Sequence, residues 1–302
     1  MLVAPRATPV TGTARVPRLV ATDLDGTLLR DDGSVSPRTR AALGRAHDAG
    51  LDVVFVTARP PRWVDAVAHA VAGHGVVPCL NGSFVYEPAS GAVLQASTMP
   101  DDVVQALVAD LRAALPGVAF AAERAAGFAA EHGYRNHHPV PPGAPLAARL
   151  EDVLDGATGK LLARCERVPD AEIVALVEAV LAGRAVVADS GAPGLAEITG
   201  PGVTKGAALA RWAAERGVAA AEVWAFGDMP NDLPMLRWAG RSVAVANAHP
   251  DVIAVVDEVC ASNEDDGVAG VLERLLGATE GTGGTEGAGD APVRRAPPVG
   301  RR

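Results

Sequence analysis

The sequence predicts an α/β fold, a Rossmann-like parallel sheet flanked by helices, with a second α+β domain inserted into it. Three observations support this prediction. Short β-branched runs alternate with Ala- and Leu-rich helical stretches outside residues 84–193, which is typical of parallel α/β folds. Within 84–193 the pattern changes to hairpin-like pairs of strands. With 302 residues, 49% of them hydrophobic, the chain is long enough to bury a substantial core.

The first elements of the predicted sheet form a β-α-β unit. The apolar run Leu19–Thr22 predicts a strand, and a helix is predicted over 37–49. Ser36 is suited to cap the start of this helix, and Gly50 follows its end, where glycine accommodates a left-handed backbone. The apolar run 51–57 then predicts a buried strand.

The second half of the chain returns to the same alternation. We predict a helix over 206–216, a strand over 223–226, a helix over 233–238 and a strand over 242–246. In the insertion, strands are predicted at 84–87, 93–96, 118–123, 127–131, 160–165 and 185–189, and helices at 101–114 and 170–182.

The change of pattern along the chain sets the predicted domain boundaries. Residues 17–83 and 194–276 are expected to form a discontinuous core domain, and residues 84–193 are expected to form the inserted domain. The two ends, 1–16 and 277–302, are rich in Pro, Gly, Thr and charged residues without apolar periodicity. Both ends are therefore expected to be disordered tails.

Composition limits the partners of this chain. No apolar run approaches the roughly 20 residues of a membrane-spanning helix, and the N-terminal sequence does not resemble an export signal. Three widely spaced cysteines indicate neither a disulfide framework nor a zinc site. The net charge of −9 disfavours nucleic acid and anionic membranes as partners. We expect a soluble cytoplasmic protein, a monomer or weak homodimer, that binds a small molecule.

Two acidic residues directly follow the first predicted strand. Asp23 and Asp25 lie one residue apart at a strand end, which is where ligands bind in parallel α/β sheets. In a turn that leaves a strand, both carboxylates can reach one ligand, and the backbone N–H of Leu24 can face phosphate oxygens. The alternative is an ordinary solvated Asp-Gly turn.

Three further segments present polar groups at strand ends or at a helix start. Thr57 and the amide of Ala58 end the second predicted strand, where a hydroxyl and an N–H can bind phosphate. Lys205 lies among glycines at the start of a predicted helix, where its ammonium group can meet an anion. The segment 227–232 follows a third strand and brings oxygen ligands of the kind that Mg²⁺ prefers.

These four segments resemble, in order, the four motifs of the haloacid dehalogenase (HAD) superfamily, and most closely those of its Cof-type branch, subfamily IIB. They read DLDGTL, VTAR, GVTKGAAL and GDMPND, and the resemblance extends from about residue 18 to residue 276. The second and third motifs are far enough apart to accommodate the type-II cap domain of that branch. The resemblance therefore implies a HAD core with an inserted cap.

The resemblance also implies an activity and a metal. The implied enzyme is a Mg²⁺-dependent phosphatase that hydrolyses small phosphate monoesters, such as sugar phosphates, through an aspartyl-phosphate intermediate. Asp23 is implied as the nucleophile and Asp25 as the general acid and base. Mg²⁺ is implied to bind Asp23, the backbone carbonyl of Asp25, and Asp228.

The remaining motif residues are implied to surround the phosphate. Asp232 is implied to lie behind them, where it holds the lysine or a metal-bound water, although a helix N-cap is the alternative for this residue. The groups implied to bind phosphate oxygens are the amides of Leu24 and Ala58 and the side chains of Thr57, Lys205 and Asn231.

Two other functions stay open at this point. A phosphomutase-type phosphoryl transferase would pass the phosphoryl group to a second hydroxyl instead of water. A non-catalytic phosphometabolite-binding protein would be expected to lack the nucleophile, the acid or the metal ligand, and all three are present. The segment 131–138, rich in His and Arg, is expected to be a solvated loop near the cleft, with a metal site as the alternative. The physiological substrate is not named by the sequence.

Overall fold

The computed structural model describes residues 16–68 and 75–282, so the predicted tails lie mostly outside the described residues. The strands are β1 Leu19–Thr22, β2 Asp52–Phe55, β3 Val77–Cys79, β4 Phe84–Glu87, β5 Ala92–Ala96, β6 Ala119–Arg124, β7 Gly127–Glu131, β8 Leu146–Ala147, β9 Thr158–Arg164, β10 Val186–Ala188, β11 Leu195–Thr199, β12 Val223–Gly227, β13 Arg241–Ala244 and β14 Glu258–Val259. The helices are α1 Pro37–Asp48, α2 Pro61–Ala68, α3 Asp101–Ala114, α4 Asp170–Leu181, α5 Lys205–Glu215, α6 Leu233–Trp238, α7 Pro250–Ile253 and α8 Gly267–Thr282.

A parallel sheet of five strands forms the centre of the core domain. Its order is β14-β13-β12-β1-β2, and every neighbouring pair is parallel. All four residues of β1 are buried, as expected for a strand covered on both faces. The predicted α/β fold is confirmed. Because β1, β2 and β12 are parallel neighbours, their carboxyl ends meet at one edge of the sheet.

A second sheet of six strands forms the inserted domain. Its order is β10-β11-β9-β6-β7-β8, and its pairs are antiparallel except β7 with β8. Side chains alternate between its two faces along β9. Leu161 and Ala163 pack with α3 and α4 in a second hydrophobic core, whereas Leu162 faces a cavity between the two domains. The inserted domain therefore covers one face of its sheet with helices and turns the other towards the core.

Both predicted boundaries of the insertion shift in the structure. Strands β4 and β5 form a three-stranded sheet with β3, and Phe84, Val85 and Tyr86 pack in the hydrophobic cluster of the core domain. At the other boundary, β11 pairs with β9 and β10 although it follows residue 193. A hairpin pattern predicts local pairing only, because the choice of packing partner depends on contacts distant in sequence. The structural insertion runs from after β5 to the end of β11.

Helix α8 passes through the predicted tail boundary at residue 277 and continues to Thr282. Elongating an existing helix costs far less than nucleating one, so weakly helical sequence can extend it. No helix in residues 16–68 and 75–282 is both long enough and apolar enough to cross a membrane.

Candidate active site

The ends of β1, β2 and β12 bring the acidic motif residues together with the predicted lysine. Asp23 follows β1 directly, and Asp228 follows β12. Carboxylate oxygens of Asp23, Asp228 and Asp232 lie within 4.8 Å of one another, and all three residues are buried. A Cβ at Gly26, where φ is +74°, would overlap a carboxylate oxygen of Asp228. The turn after β1 therefore needs glycine to approach this acidic cluster.

Lys205 lies in the first turn of α5 and contacts two of these carboxylates. The hydroxyl of Thr204 caps the helix by accepting the N–H of Ala207 at 3.0 Å. The Nζ atom of Lys205 lies 2.7 Å from Oδ1 of Asp23 and 2.7 Å from Oδ1 of Asp232. Burial alone would lower the pKa of Lys205, but the two carboxylates raise it above its usual value. Lys205 is therefore a charged, buried cation whose ammonium group lies beside the end of β1.

Asp232 connects the lysine to the loop after β12. Its Oδ2 accepts the backbone N–H groups of Asp228 and Met229, both at 3.0 Å. Asp232 occupies the N-cap position of α6, but its side chain makes no hydrogen bond that caps this helix. Asp232 thus holds both the loop that carries Asp228 and the ammonium group of Lys205.

The acidic cluster carries more negative than positive charge. Burial raises the pKa of Asp23 well above its ordinary value; Lys205 opposes this shift, and Asp232 and Asp228 add to it. Burial, and after it the charge of Asp232, raise the pKa of Asp228 to about 6. The hydroxyl of Thr27, which donates to Oδ1 of Asp228 at 2.7 Å, opposes this shift. Three carboxylates against one ammonium group favour binding of a cation. Carboxylate oxygens are the donors that a hard divalent metal prefers, so the residues fit such an ion.

Asp25 lies at the rim of the cavity and is held by an arginine. Its side chain is 56% exposed, in contrast to buried Asp23. The Nε and Nη2 atoms of Arg59 donate to its two oxygens at 2.8 and 2.6 Å. Sequence motifs did not predict this partner for Asp25.

The predicted site residues separate into those that line the cavity and those that lie behind its wall. Thr57 and Leu24 are fully buried, and the Thr57 hydroxyl accepts the backbone N–H of Arg59 at 3.1 Å. The Nδ2 atom of Asn231 lies 3.4 Å from Oδ1 of Asn81. Those that line the cavity are Asp23, Asp25, Ala58, Lys205 and Asn231, whereas Leu24, Thr57, Asp228 and Asp232 lie behind its wall.

Residues of the inserted domain that motif reasoning missed also reach this site. The Nζ atom of Lys160 on β9 donates to the backbone oxygen of Ala58 at 2.8 Å and lies 3.0 Å from Oε1 of Glu197 on β11. Glu123 on β6 makes a bidentate pair with Arg62 of α2. Lys160, Glu197 and Glu123 are each at most 6% exposed. The sequence feature that could have indicated these residues is a charged side chain within an otherwise apolar strand.

The cavity between the domains measures about 510 Å³. The predicted loop 131–138 contributes Tyr134, Asn136, His137 and His138 to its wall. Arg135 instead points away, is 75% exposed and pairs with Glu166. Among the described residues, this loop contains no cluster of three potential metal ligands. The loop therefore borders the cavity through only part of its length.

Comparisons with known proteins agree with this geometry. The sequence model of a family described as haloacid dehalogenase-like hydrolase matches residues 20–272. A 5-amino-6-(5-phospho-D-ribitylamino)uracil phosphatase of Bacillus subtilis is 30% identical over 272 residues, covering 86% of this chain and 98% of that protein. A pyridoxal phosphate phosphatase of Escherichia coli is 27% identical over 271 residues, covering 83% and 96%. The crystal structure of a haloacid dehalogenase-like hydrolase from Bacteroides thetaiotaomicron superimposes with a TM-score of 0.69 at 25% identity, covering 86% of this chain and 99% of that one.

Proposed function

Because the chain belongs to the haloacid dehalogenase-like hydrolase family, in its Cof-type branch, we propose that it is a Mg²⁺-dependent phosphatase of small phosphate monoesters. The observation that carries this proposal is the pairing of Asp23 with Lys205 beside Asp228, at the sheet edge that opens into the cavity. The two relatives named above are phosphatases of small phosphate monoesters, which supports the same substrate class.

The proposed first step is attack by Asp23. Its carboxylate oxygen forms a bond to phosphorus as the ester P–O bond breaks, and Asp25 donates a proton to the departing oxygen. In the second step, Asp25 takes a proton from water, the water oxygen bonds to phosphorus, and the bond to Asp23 breaks. The products are the free alcohol and inorganic phosphate. Asp25 at the cavity rim suits this role, because it can meet both the leaving group and water.

The charge that develops on the phosphoryl oxygens requires donors around them. We assign this role first to the groups that line the cavity, which are the ammonium group of Lys205, the amide of Asn231 and the backbone N–H of Ala58. The hydroxyl of Thr57 and the backbone N–H of Leu24, which lie directly behind the wall, are the other proposed donors. Asp232 acts through Lys205, because its Oδ1 holds the ammonium group at 2.7 Å. Asp232 is therefore a positioning residue in this proposal.

The acidic cluster is the proposed metal site. Asp23, Asp228 and the backbone carbonyl of Asp25 would hold Mg²⁺. When bound, the ion would offset the negative charge of the carboxylates and of the phosphoryl group. Excess negative charge in a buried cluster supports this assignment, because such charge is costly without a counterion.

We also infer a cytoplasmic location and a monomeric or weakly dimeric state. Cys79 and Cys165 are buried free thiols, which suits a reducing compartment.

The test is a phosphate-release assay with Mg²⁺ over a panel of phosphorylated metabolites and para-nitrophenyl phosphate. Free phosphate with alcohol as the co-product is expected. An isomerised sugar phosphate without free phosphate would identify a phosphomutase instead, and binding of the metabolites without turnover would identify a binding protein.

A further inference from the structure

The turn between β3 and β4 has a strained backbone. Leu80, Asn81 and Gly82 have φ angles of +52°, +58° and +100°, and all three residues are buried. Glycine and asparagine tolerate positive φ, whereas leucine rarely adopts it, so most of the strain lies at Leu80. Strain of this kind persists only where the surrounding structure fixes it, and it is concentrated at functional sites.

Contacts with the second and third motifs hold this turn in place. The backbone N–H of Asn81 donates to the carbonyl oxygen of Thr57 at 3.1 Å. On the other side, a Cβ at Gly82 would lie 2.7 Å from the carbonyl oxygen of Thr204, the residue that caps α5. The turn is therefore wedged between the end of β2 and the helix that carries Lys205.

The side chain of Asn81 connects the inserted domain to the fourth motif. Its Nδ2 donates to Oε2 of Glu197 on β11 at 2.8 Å, and its Oδ1 lies 3.4 Å from Nδ2 of Asn231. Oε1 of Glu197 lies 3.0 Å from Nζ of Lys160, which donates to the carbonyl oxygen of Ala58. These five residues form one network of polar contacts. Ala58 and Asn231, at its two ends, are both proposed phosphate donors.

The chemistry of this network decides which way each amide group points. Glu197 is paired with Lys160, and its carboxylate accepts hydrogen bonds but donates none. Asn81 must therefore turn its Nδ2 towards Glu197, which leaves its Oδ1 to face Asn231. An oxygen at that place attracts the Nδ2 of Asn231 and repels its Oδ1. Among the described residues, the buried Oδ1 of Asn231 has no hydrogen-bond partner, so the orientation of this amide depends on Asn81.

From this network, and resting on the phosphatase function proposed above, we propose that Asn81 is a positioning residue for phosphate binding. It transmits the polarity of the Glu197 carboxylate to Asn231. One N–H of the Asn231 amide then faces Asn81, and the other is left for the phosphoryl group, whereas a reversed amide would turn an oxygen towards an anion. Because Glu197 belongs to the inserted domain, the amide is oriented only while that domain is docked on the core.

The first test asks whether Asn81 acts through Asn231. Asn81→Gly removes the side chain at a backbone conformation that glycine tolerates, and the inhibition constant of inorganic phosphate against para-nitrophenyl phosphate hydrolysis should rise by about tenfold. Asn231→Ala should raise it at least as much. The double variant should exceed Asn231→Ala by less than about twofold, because the second change removes a contact that is already lost.

Two results of this test would overturn the inference: an unchanged inhibition constant in Asn81→Gly, or losses that multiply in the double variant. The matched control is Ala182→Gly, which introduces glycine at another left-handed position, φ +48°, on the surface of the inserted domain. This control should leave the inhibition constant unchanged.

The second test reverses the polarity without removing a side chain, and it stands by itself if Asn81→Gly does not fold. In Glu197→Gln, the new amide gives its oxygen to Lys160 and its NH₂ group to Asn81, which turns both asparagines round. The inhibition constant of inorganic phosphate should rise by about tenfold. The matched control is Glu123→Gln, the same change at a buried acid that pairs with Arg62 across the same domain boundary.

Glu123→Gln also weakens docking of the inserted domain, but it should raise the inhibition constant by less than about threefold, because this acid lies outside the network. Equal rises in Glu197→Gln and Glu123→Gln would show that looser docking alone is responsible, and would overturn the inference. The Tm of each variant reports how far docking contributes to stability.

Failure of this inference is distinguishable from failure of the proposed function. If the wild-type protein does not release phosphate from para-nitrophenyl phosphate, the phosphatase function itself fails. If that activity is intact but either comparison gives the contrary result, only the positioning role of Asn81 fails.

Discussion

Arg59 holds the carboxylate of Asp25 at both oxygens, with Nε 2.8 Å from Oδ2 and Nη2 2.6 Å from Oδ1. The two residues come from neighbouring strand ends, after β2 and β1. A bidentate pair restricts rotation of the carboxylate more than a single hydrogen bond does. Asp25 is therefore oriented by the second motif before any substrate binds.

Removing this arginine should impair acid catalysis selectively. Arg59→Met is expected to lower kcat by about tenfold on an alkyl ester such as flavin mononucleotide. The alkoxide of such an ester leaves only when it is protonated, and an Asp25 side chain that is free to rotate delivers the proton less efficiently. Para-nitrophenyl phosphate, whose leaving group needs little protonation, should lose less. Arg59→Lys should recover part of the loss. The same loss on both esters would contradict a role through Asp25.

Asp23→Asn should abolish turnover, by about 10³-fold or more, because an amide of nearly the same shape cannot attack phosphorus. The fold should persist, since Lys205 keeps its contact with Asp232. Phosphate release and the Tm are the measurements, and Asp102→Asn on an exposed turn of α3 is the matched control. Turnover within tenfold of wild type would remove Asp23 from the nucleophile role.

Chelation should stop the reaction and Mg²⁺ should restore it. Mg²⁺ should also raise the Tm of the wild-type protein, because a ligand that binds only the folded state stabilises it. Asp228→Asn should shift both effects to higher Mg²⁺ concentration, since it removes one proposed metal ligand. Full activity after exhaustive chelation, or an unchanged Mg²⁺ dependence in the variant, would rule out this site.

Lys160→Met should destabilise the protein because it leaves Glu197 charged and buried. Breaking a buried pair in this way costs about 3–5 kcal/mol in the free energy of unfolding, whereas replacing both partners by apolar residues costs much less. The double variant Lys160→Met/Glu197→Leu should therefore be more stable than the single one. Urea denaturation measures both, and equal stability of the two variants would show that the pair is not coupled.

Local patterns predicted most of the elements correctly. The bounds of strand β1 and helix α3 match the predicted 19–22 and 101–114, because apolar periodicity and flanking Pro or Asp signals lie within each segment. The hairpin at 84–96 was also predicted, but not its place in the core domain. Strand β3 was missed because it has three residues and contains Pro78, which is unfavourable in strands.

The site was predictable where a motif carried it and not elsewhere. Asp23 and Lys205 are 182 residues apart in the chain, yet their order and positions at element ends predicted that both serve one site. The pairing of Arg59 with Asp25 was not predicted, although Arg59 belongs to the second motif. Lys160 lies outside the motifs, and its contact with Ala58 comes from the register of β9 and from how the two domains meet. Burial of a charge becomes visible only when the packing is known.

The two chain passages between the domains lie side by side, since a Cβ at Gly200 would lie 3.5 Å from Cγ of Met99. An attachment along one edge is the geometry of a hinge. Opening it would separate Lys160 from Ala58 and Glu123 from Arg62, and it would also part the rings of Trp63 and His138, whose centroids lie 4.4 Å apart. Entry of substrate and escape of the alcohol would thus break this ring contact together with polar contacts, which reform in water at little net cost. If release of the alcohol through this hinge limits turnover, kcat should fall as the viscosity of the solvent rises.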